Sequence, residues 1–292
     1  MPLHAFSRLR NVAVPLVAAM FLVGCGNGGD AGDTAVDSAA GNATASSRMP
    51  RSAELNRAVD AETLPYAEVG EELVYGHFAF PSDMIEPLPA IILLHDWWGL
   101  NDDMRAAASR LAAEGYMVLA VDLYSGESVD HIEDARRKMI SVLENPDDVE
   151  ANLNQALDFV QGVGAPSVAT LGWGLGGTWS LSSTMLFADR VDAAVVFYGQ
   201  LVDDTDQLEA IQAPILSFYG AGDRVIRADS VRDFESTMRG LRKELTVKFY
   251  DDAGHAFADP ARPNNFRPEL AEDAWNRTVA FLQANLALTD ES

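Results

Sequence analysis

Cysteine is nearly absent: the 292 residues contain one, Cys25. No internal disulfide can form, and no cysteine-rich zinc site can be built. Basic residues are scarce, 21 Lys+Arg against 44 Asp+Glu, giving a formal charge of −23. A nucleic-acid binder needs a basic footprint, which this chain lacks overall. Long-range steering of anionic substrates is disfavoured for the same reason. Histidine is also sparse, at 5 residues. His4 lies in the N-terminal segment, and His77 and His131 show no metal-ligand spacing, so neither a metal nor another cofactor is expected. Beyond the N-terminal segment no apolar run approaches the length that spans a bilayer. What is present is an ordinary globular mixture, 48% hydrophobic with 22 Gly and 13 Pro, sufficient for a large buried core.

The N-terminus reads MPLHAFSRLRNVAVPLVAAMFLVGC. Arg8 and Arg10 precede an apolar run from Val12 to Val23, which has signal-peptide length and is short for a spanning helix. The run ends Leu22-Val23-Gly24-Cys25, which resembles the lipobox of bacterial lipoproteins, where the cysteine is lipidated and the chain is cut just before it. The resemblance implies that residues 1–24 are a signal peptide and that Cys25 anchors the chain to a membrane. The plainer alternative is an ordinary signal peptide with a chance cysteine. Gly26 rather than Asp follows, which by the sorting pattern of that class implies the bacterial outer membrane, facing the periplasm. Residues 26–47, GNGGDAGDTAVDSAAGNATASS, carry almost no large apolar side chain, so residues 25–64 are expected to form a flexible tether. Cleavage would remove Arg8 and Arg10 and no acid. So acidic a chain would be held by its acyl chains, not by attraction to anionic lipid.

From residue 65 to 292 strand-like and helix-like stretches alternate within one expected domain. Leu73–Phe80 reads as a strand, and Ala90–His95, AIILLH, as a strand buried on both faces. Residues 102–114 have helical spacing, with Asn101 or Asp102 able to cap the start and Gly115 ending the helix. Strands follow at Tyr116–Val121, Ser167–Trp173, Ala193–Tyr198, Pro214–Tyr219 and Leu245–Tyr250. Helices are predicted near 130–144 and 148–161, separated by Asn145-Pro146, then over 176–188, 229–240 and 269–286. The alternation predicts an α/β protein with a mostly parallel, doubly wound sheet flanked by helices. The acidic pairs Asp147-Asp148 and Asp203-Asp204 read as solvated loops or helix caps.

In open α/β sheets functional groups gather beyond the carboxyl ends of the strands. Four strand ends carry candidates: His95–Asn101 (HDWWGLN), Leu171–Gly177 (LGWGLGG), Tyr219–Asp223 (YGAGD) and Asp251–Phe257 (DDAGHAF). The second has the shape of a nucleophile elbow, a strand turning through glycines into a helix whose free N–H groups suit an oxyanion. Asp223 and then His255 follow in the order nucleophile, acid, histidine. Each motif alone has a bland reading. A Gly-rich turn is more often close packing, a lone histidine more often structural, and Asp96 could merely cap a helix. Tryptophans at strand ends are more often packing than ligand walls.

Together these motifs resemble the dienelactone hydrolase family, over roughly residues 70–285. The family's elbow, G-[YW]-C-x-G-G, matches Gly172–Gly177, GWGLGG. Its acidic E-x-[FW]-G-[VL]-N stretch matches Asp96–Asn101 with Asp for Glu, and Asp122-Leu123-Tyr124 also matches. The resemblance implies the α/β-hydrolase fold and a site holding His255, Asp223 and Asp96. Gly174 stands where the family has its nucleophilic cysteine. The N–H groups of Leu175 and Trp97 would hold an oxyanion, and Trp98, Trp173 and Tyr124 would contact substrate. Two basic residues the family uses for an anionic substrate are missing: no arginine follows Asp122-Leu123-Tyr124, and Asp259 stands where one would follow the histidine, with Arg262 as the candidate substitute. Three readings are open. One is hydrolysis of a small ester or lactone through a degenerate triad, with water activated in the space at Gly174. Another is replacement of the cysteine by Thr178 or Ser125. The third is an inactive envelope lipoprotein that binds a small apolar or aromatic ligand.

Overall fold

Five consecutive apolar residues, Ala90–Leu94, form β3 and are buried on both faces, as a strand at the centre of a sheet must be. The computed structural model describes residues 57–286, which lie in one compact unit. Eight strands make one sheet in the order β1-β2-β4-β3-β5-β6-β7-β8. They are β1 (Val59–Val69), β2 (Glu72–Pro81), β3, β4 (Met117–Val121), β5 (Val168–Trp173), β6 (Ala193–Phe197), β7 (Ile215–Gly220) and β8 (Leu245–Tyr250). The β1–β2 and β2–β4 pairings are antiparallel, and every pairing from β4 to β8 is parallel.

The helices are α1 (Asp102–Ala113), α2 (Ile132–Glu144), α3 (Pro146–Gly162), α4 (Leu175–Leu186), α5 (Thr205–Leu208), α6 (Ala228–Gly240) and α7 (Pro268–Asn285). Because strand side chains alternate, Ile91 and Leu93 pack with Met104 and Leu111 of α1 and Trp275 and Leu282 of α7. Ile92 and Leu94 pack on the other face with Leu153, Leu157 and Val160 of α3 and Trp179 of α4. A smaller cluster joins Leu181 and Val196 to Phe234 and Met238 of α6. Asn101 caps α1 by accepting from the Met104 N–H at 3.0 Å, and Pro146 opens α3. Asp204 caps the short α5, the helix-cap alternative for the Asp203-Asp204 pair.

The main difference from expectation lies at the N-terminal edge. Residues 59–64, expected in the tether, belong to β1, which pairs along its length with β2. Most of β1 is exposed, so its side chains lack the apolar alternation that marks a half-buried strand. Backbone pairing, not side-chain pattern, extends the domain to residue 59. The expected signal peptide, Cys25 anchor and remaining tether lie outside the described residues. No helix among the described residues is long and apolar enough to cross a membrane.

The elbow between β5 and α4 depends on close backbone contact. A Cβ on Gly176 would stand 2.2 Å from the Leu94 carbonyl oxygen and 2.5 Å from that of His95. Gly176→Ala would therefore force α4 off β3. The expected cost is about 3 kcal/mol, read as a lowered denaturant midpoint with an unchanged m-value.

Candidate active site

The carboxyl ends of β3, β5, β6 and β7, with the loop after β8, bring most of the expected residues together. At the turn after β5, Gly174 has φ +53° and ψ −108°, a region that ordinary side chains rarely occupy. Its N–H donates to the Phe197 carbonyl oxygen at 2.9 Å, which fixes the turn against β6. A Cβ built on Gly174 would meet only Tyr198 Cε2, at 4.0 Å. The position where the sequence resemblance expects a nucleophile is thus open space, in a backbone conformation that glycine adopts freely.

His255 Nδ1 lies 2.9 Å from Asp223 Oδ2. The Asp223 side chain is fully buried, while that of His255 is partly exposed. The other carboxylate oxygen, Oδ1, accepts from the N–H groups of Val225 and Ile226 at 2.7 and 2.9 Å. An ionised carboxylate only accepts, so the ring proton sits on Nδ1 and Nε2 keeps its lone pair. Asn265 Nδ2 donates to the His255 carbonyl oxygen at 2.8 Å, and Ala256 beside it has φ +58°. The histidine loop is therefore held by specific contacts in a conformation uncommon for alanine.

Leu175 is the first residue of α4, so its N–H has no intrahelical partner. Trp97 N–H likewise makes no hydrogen bond among the described residues. Tyr124, expected against substrate, instead donates its hydroxyl to the Trp97 carbonyl oxygen at 3.1 Å. Its ring lies edge-on to His95, and it is 3% exposed. The structure thus places Tyr124 as a support for Trp97. His95 is wholly buried: Nε2 accepts from Leu123 N–H at 3.0 Å and Nδ1 lies 2.6 Å from the Asp96 carbonyl oxygen. Burial keeps the His95 imidazole below its usual range.

A cavity of about 10 Å³ beside the elbow is lined by Asp96, Trp98, Asp103, Trp173, Tyr198 and Asp259, among others. Trp98 bridges two of its carboxylates, its N–H donating to Asp96 Oδ1 and its indole Nε1–H to Asp259 Oδ2, both at 2.9 Å. Burial first, and then the Asp259 charge, push the Asp96 carboxyl well above the usual carboxylate range. Burial raises Asp259 as well, opposed by its hydrogen bond from Trp98. Arg262 lies 4.2 Å over the Trp97 ring, with Nε 3.7 Å from Asp259 Oδ2. Its guanidinium is thus engaged by an aromatic face and a carboxylate.

Tyr198 is the site residue that sequence reasoning missed. As the last aromatic of a buried strand it reads as core. It is 2% exposed with φ +41°, its ring centroid is 5.4 Å from that of His255, and its buried hydroxyl has no hydrogen-bond partner. Only its backbone angle and its unpartnered oxygen mark it. Thr178 and Ser125 do not stand in for a nucleophile. Thr178 Oγ1 donates to the Gly174 carbonyl oxygen at 3.1 Å and accepts from Gln200 N–H at 3.0 Å, and Ser125 is exposed on the loop after β4. No group of three or more His, Cys, Asp or Glu among the described residues is arranged to hold a metal ion.

A mostly parallel sheet, a glycine elbow and an Asp–His pair beyond the strand ends define the α/β-hydrolase fold. The comparisons narrow the class. The dienelactone hydrolase family model matches residues 74–286, and the chain belongs to that family. Protein usf of Aquifex pyrophilus is 33% identical over 205 residues, covering 68% of this chain and 89% of its own. A protein of Aquifex aeolicus named "Putative carboxymethylenebutenolidase" is 28% identical over 205 residues, with the same coverage of 68% and 89%. Among solved structures, a dienelactone hydrolase-like promiscuous phosphotriesterase from metagenomic libraries superposes with a TM-score of 0.72 at 21% identity. That match covers 79% of this chain and 100% of the other, and shows the shared fold.

Proposed function

We propose that the protein hydrolyses a small ester or lactone by direct attack of water, with no acyl-enzyme intermediate. The observation that carries this reading is the coexistence of an empty elbow at Gly174 with an assembled Asp223–His255 pair. A water in the space at Gly174 gives a proton to His255 Nε2 as its oxygen bonds to the carbonyl carbon. The negative charge that develops on the carbonyl oxygen is held by the N–H groups of Leu175 and Trp97. His255 then returns the proton to the leaving oxygen as the C–O bond breaks, releasing an acid and an alcohol. Asp223 holds the imidazole in the required tautomer and stabilises its charged form. Asp96, with Trp98 and Trp173, shapes the acidic wall of the substrate site. Purified mature protein assayed with aryl esters and lactones beside His255→Ala tests this, and activity no greater than that of the variant would refute it.

A second reading is favoured by the same missing side chain: an inactive binding protein whose pocket holds a small apolar or aromatic ligand. It requires that aromatic lactones or acids quench tryptophan fluorescence without being turned over. In either reading the lipobox-like segment supports lipidation at Cys25 and residence in the bacterial cell envelope, at the periplasmic face of the outer membrane. Palmitate labelling of the expressed full chain is expected to vanish in Cys25→Ala and the protein to leave the membrane fraction. Retention of both label and membrane partition would rule the anchor out.

A further inference from the structure

The cavity between the elbow and the histidine loop is unusual in what surrounds it. Asp96 is 8% exposed and Asp259 6% exposed, and Asp103 at the start of α1 completes a three-carboxylate wall. No ion pair among the described residues reaches Asp96. The nearest cation, Arg262, is already laid on Trp97 and joined to Asp259. Trp98, Trp173 and Tyr198 are among the remaining lining residues, and Tyr198, more than nine-tenths buried, carries a hydroxyl with no hydrogen-bond partner. The N-terminal dipole of α1, which would repel a cation, is met by Asp102 and Asp103 and by the Asn101 cap.

Arg262 is joined to Asp259 alone, so the buried Asp96 carboxyl is costly to ionise, and a bound cation would offset that cost. Size decides which cation. A space of about 10 Å³ holds roughly one water-sized group. A primary ammonium head is of that size, whereas a carboxylate or a trimethylammonium is larger. A primary ammonium also brings three N–H donors, which the Asp96 carboxylate, the Asp259 carboxylate and the Tyr198 oxygen can accept.

We propose that this cavity is a subsite for a primary ammonium group, so that the substrate is an ester or lactone bearing an amine and not a carboxylate. The substrate assignment rests on the hydrolase reading above; the subsite itself does not. Tyr198 ties the two together, since it lines the cavity and lies 4.0 Å from the Cβ position of Gly174.

The test has a binding arm and a turnover arm. In calorimetry, n-butylammonium is expected to bind the mature protein saturably, while n-butyrate and tetramethylammonium do not. Asp259→Asn and Tyr198→Phe, which preserve shape, should each weaken butylammonium binding at least tenfold. In turnover, the 4-nitrophenyl ester of 5-aminopentanoate should exceed that of pentanoate, and that of glutarate should be poorest, by at least tenfold at each step in kcat/KM. Asp259→Asn should raise KM for the amino ester, lower it for the glutarate ester, and so narrow the difference between them. Absence of butylammonium binding, equal binding of butyrate, or indifference of both variants overturns the subsite. Butylammonium binding without cleavage of any ester supports the subsite and sinks the hydrolase reading. Cleavage indifferent to charge, without butylammonium binding, sinks the subsite and leaves the hydrolase reading standing.

Discussion

Gly174→Cys is expected to raise aryl-ester hydrolysis by two or more orders of magnitude and to make it sensitive to thiol alkylation. The arithmetic rests on what a nucleophile contributes. Deleting the nucleophile of a triad enzyme removes on the order of 10⁶ in kcat, with the oxyanion donors and binding retaining the rest. Restoring a nucleophile to a prepared site recovers part of that range. The site is prepared here, because the added Cβ would meet only Tyr198 Cε2 at 4.0 Å and no backbone atom. The cost falls on the backbone. A side chain at φ +53° is strained by roughly 1–3 kcal/mol, so the variant should unfold at lower denaturant while gaining activity. A burst of 4-nitrophenol equal to the enzyme concentration would show the acyl-enzyme directly. A folded Gly174→Cys variant with no alkylation-sensitive activity would show that His255 cannot serve a nucleophile at this elbow.

The second large effect is expected at the dyad. His255→Ala should lower kcat/KM by about 10²–10⁴ if the imidazole is the general base for water. Asp223→Asn should cost a comparable factor, since it would replace the carboxylate that selects the Nδ1–H tautomer. His255→Ala would leave the buried Asp223 Oδ2 without its hydrogen-bond partner and should lower the unfolding midpoint. Asp223 also accepts the N–H groups of Val225 and Ile226, so Asp223→Ala would leave buried donors unpaired and cost about 1–3 kcal/mol. Equal activity in wild type and His255→Ala would remove the catalytic role, whatever the stability data show.

Much of this architecture is legible in the chain because it obeys simple periods. Buried central strands such as Ala90–Leu94 are unbroken apolar runs, and α1 carries its cap, its spacing and its stop in plain view. Strand β1 is not legible, because an exposed edge strand is specified by the hydrogen bonds it makes with β2 and hardly by its side chains. The site divides the same way. Asp223 and His255 are readable from chain order, and the structure joins them at 2.9 Å. Tyr198 is not readable, because nothing in AAVVFY distinguishes a core tyrosine from one whose hydroxyl is left over. Tyr124 shows the converse: a residue in the right motif whose hydroxyl is spent on the Trp97 backbone.

The bare elbow also bears on descent. The glycine codons GGT and GGC each become a cysteine codon by one change of the first base, and a serine codon by a different change of the same base. The scaffold that a thiolate or alkoxide would need is already folded around Gly174. Where Gly174 is encoded by GGT or GGC, one nucleotide separates the bare elbow from one bearing a thiol or a hydroxyl, with no backbone atom against the added Cβ.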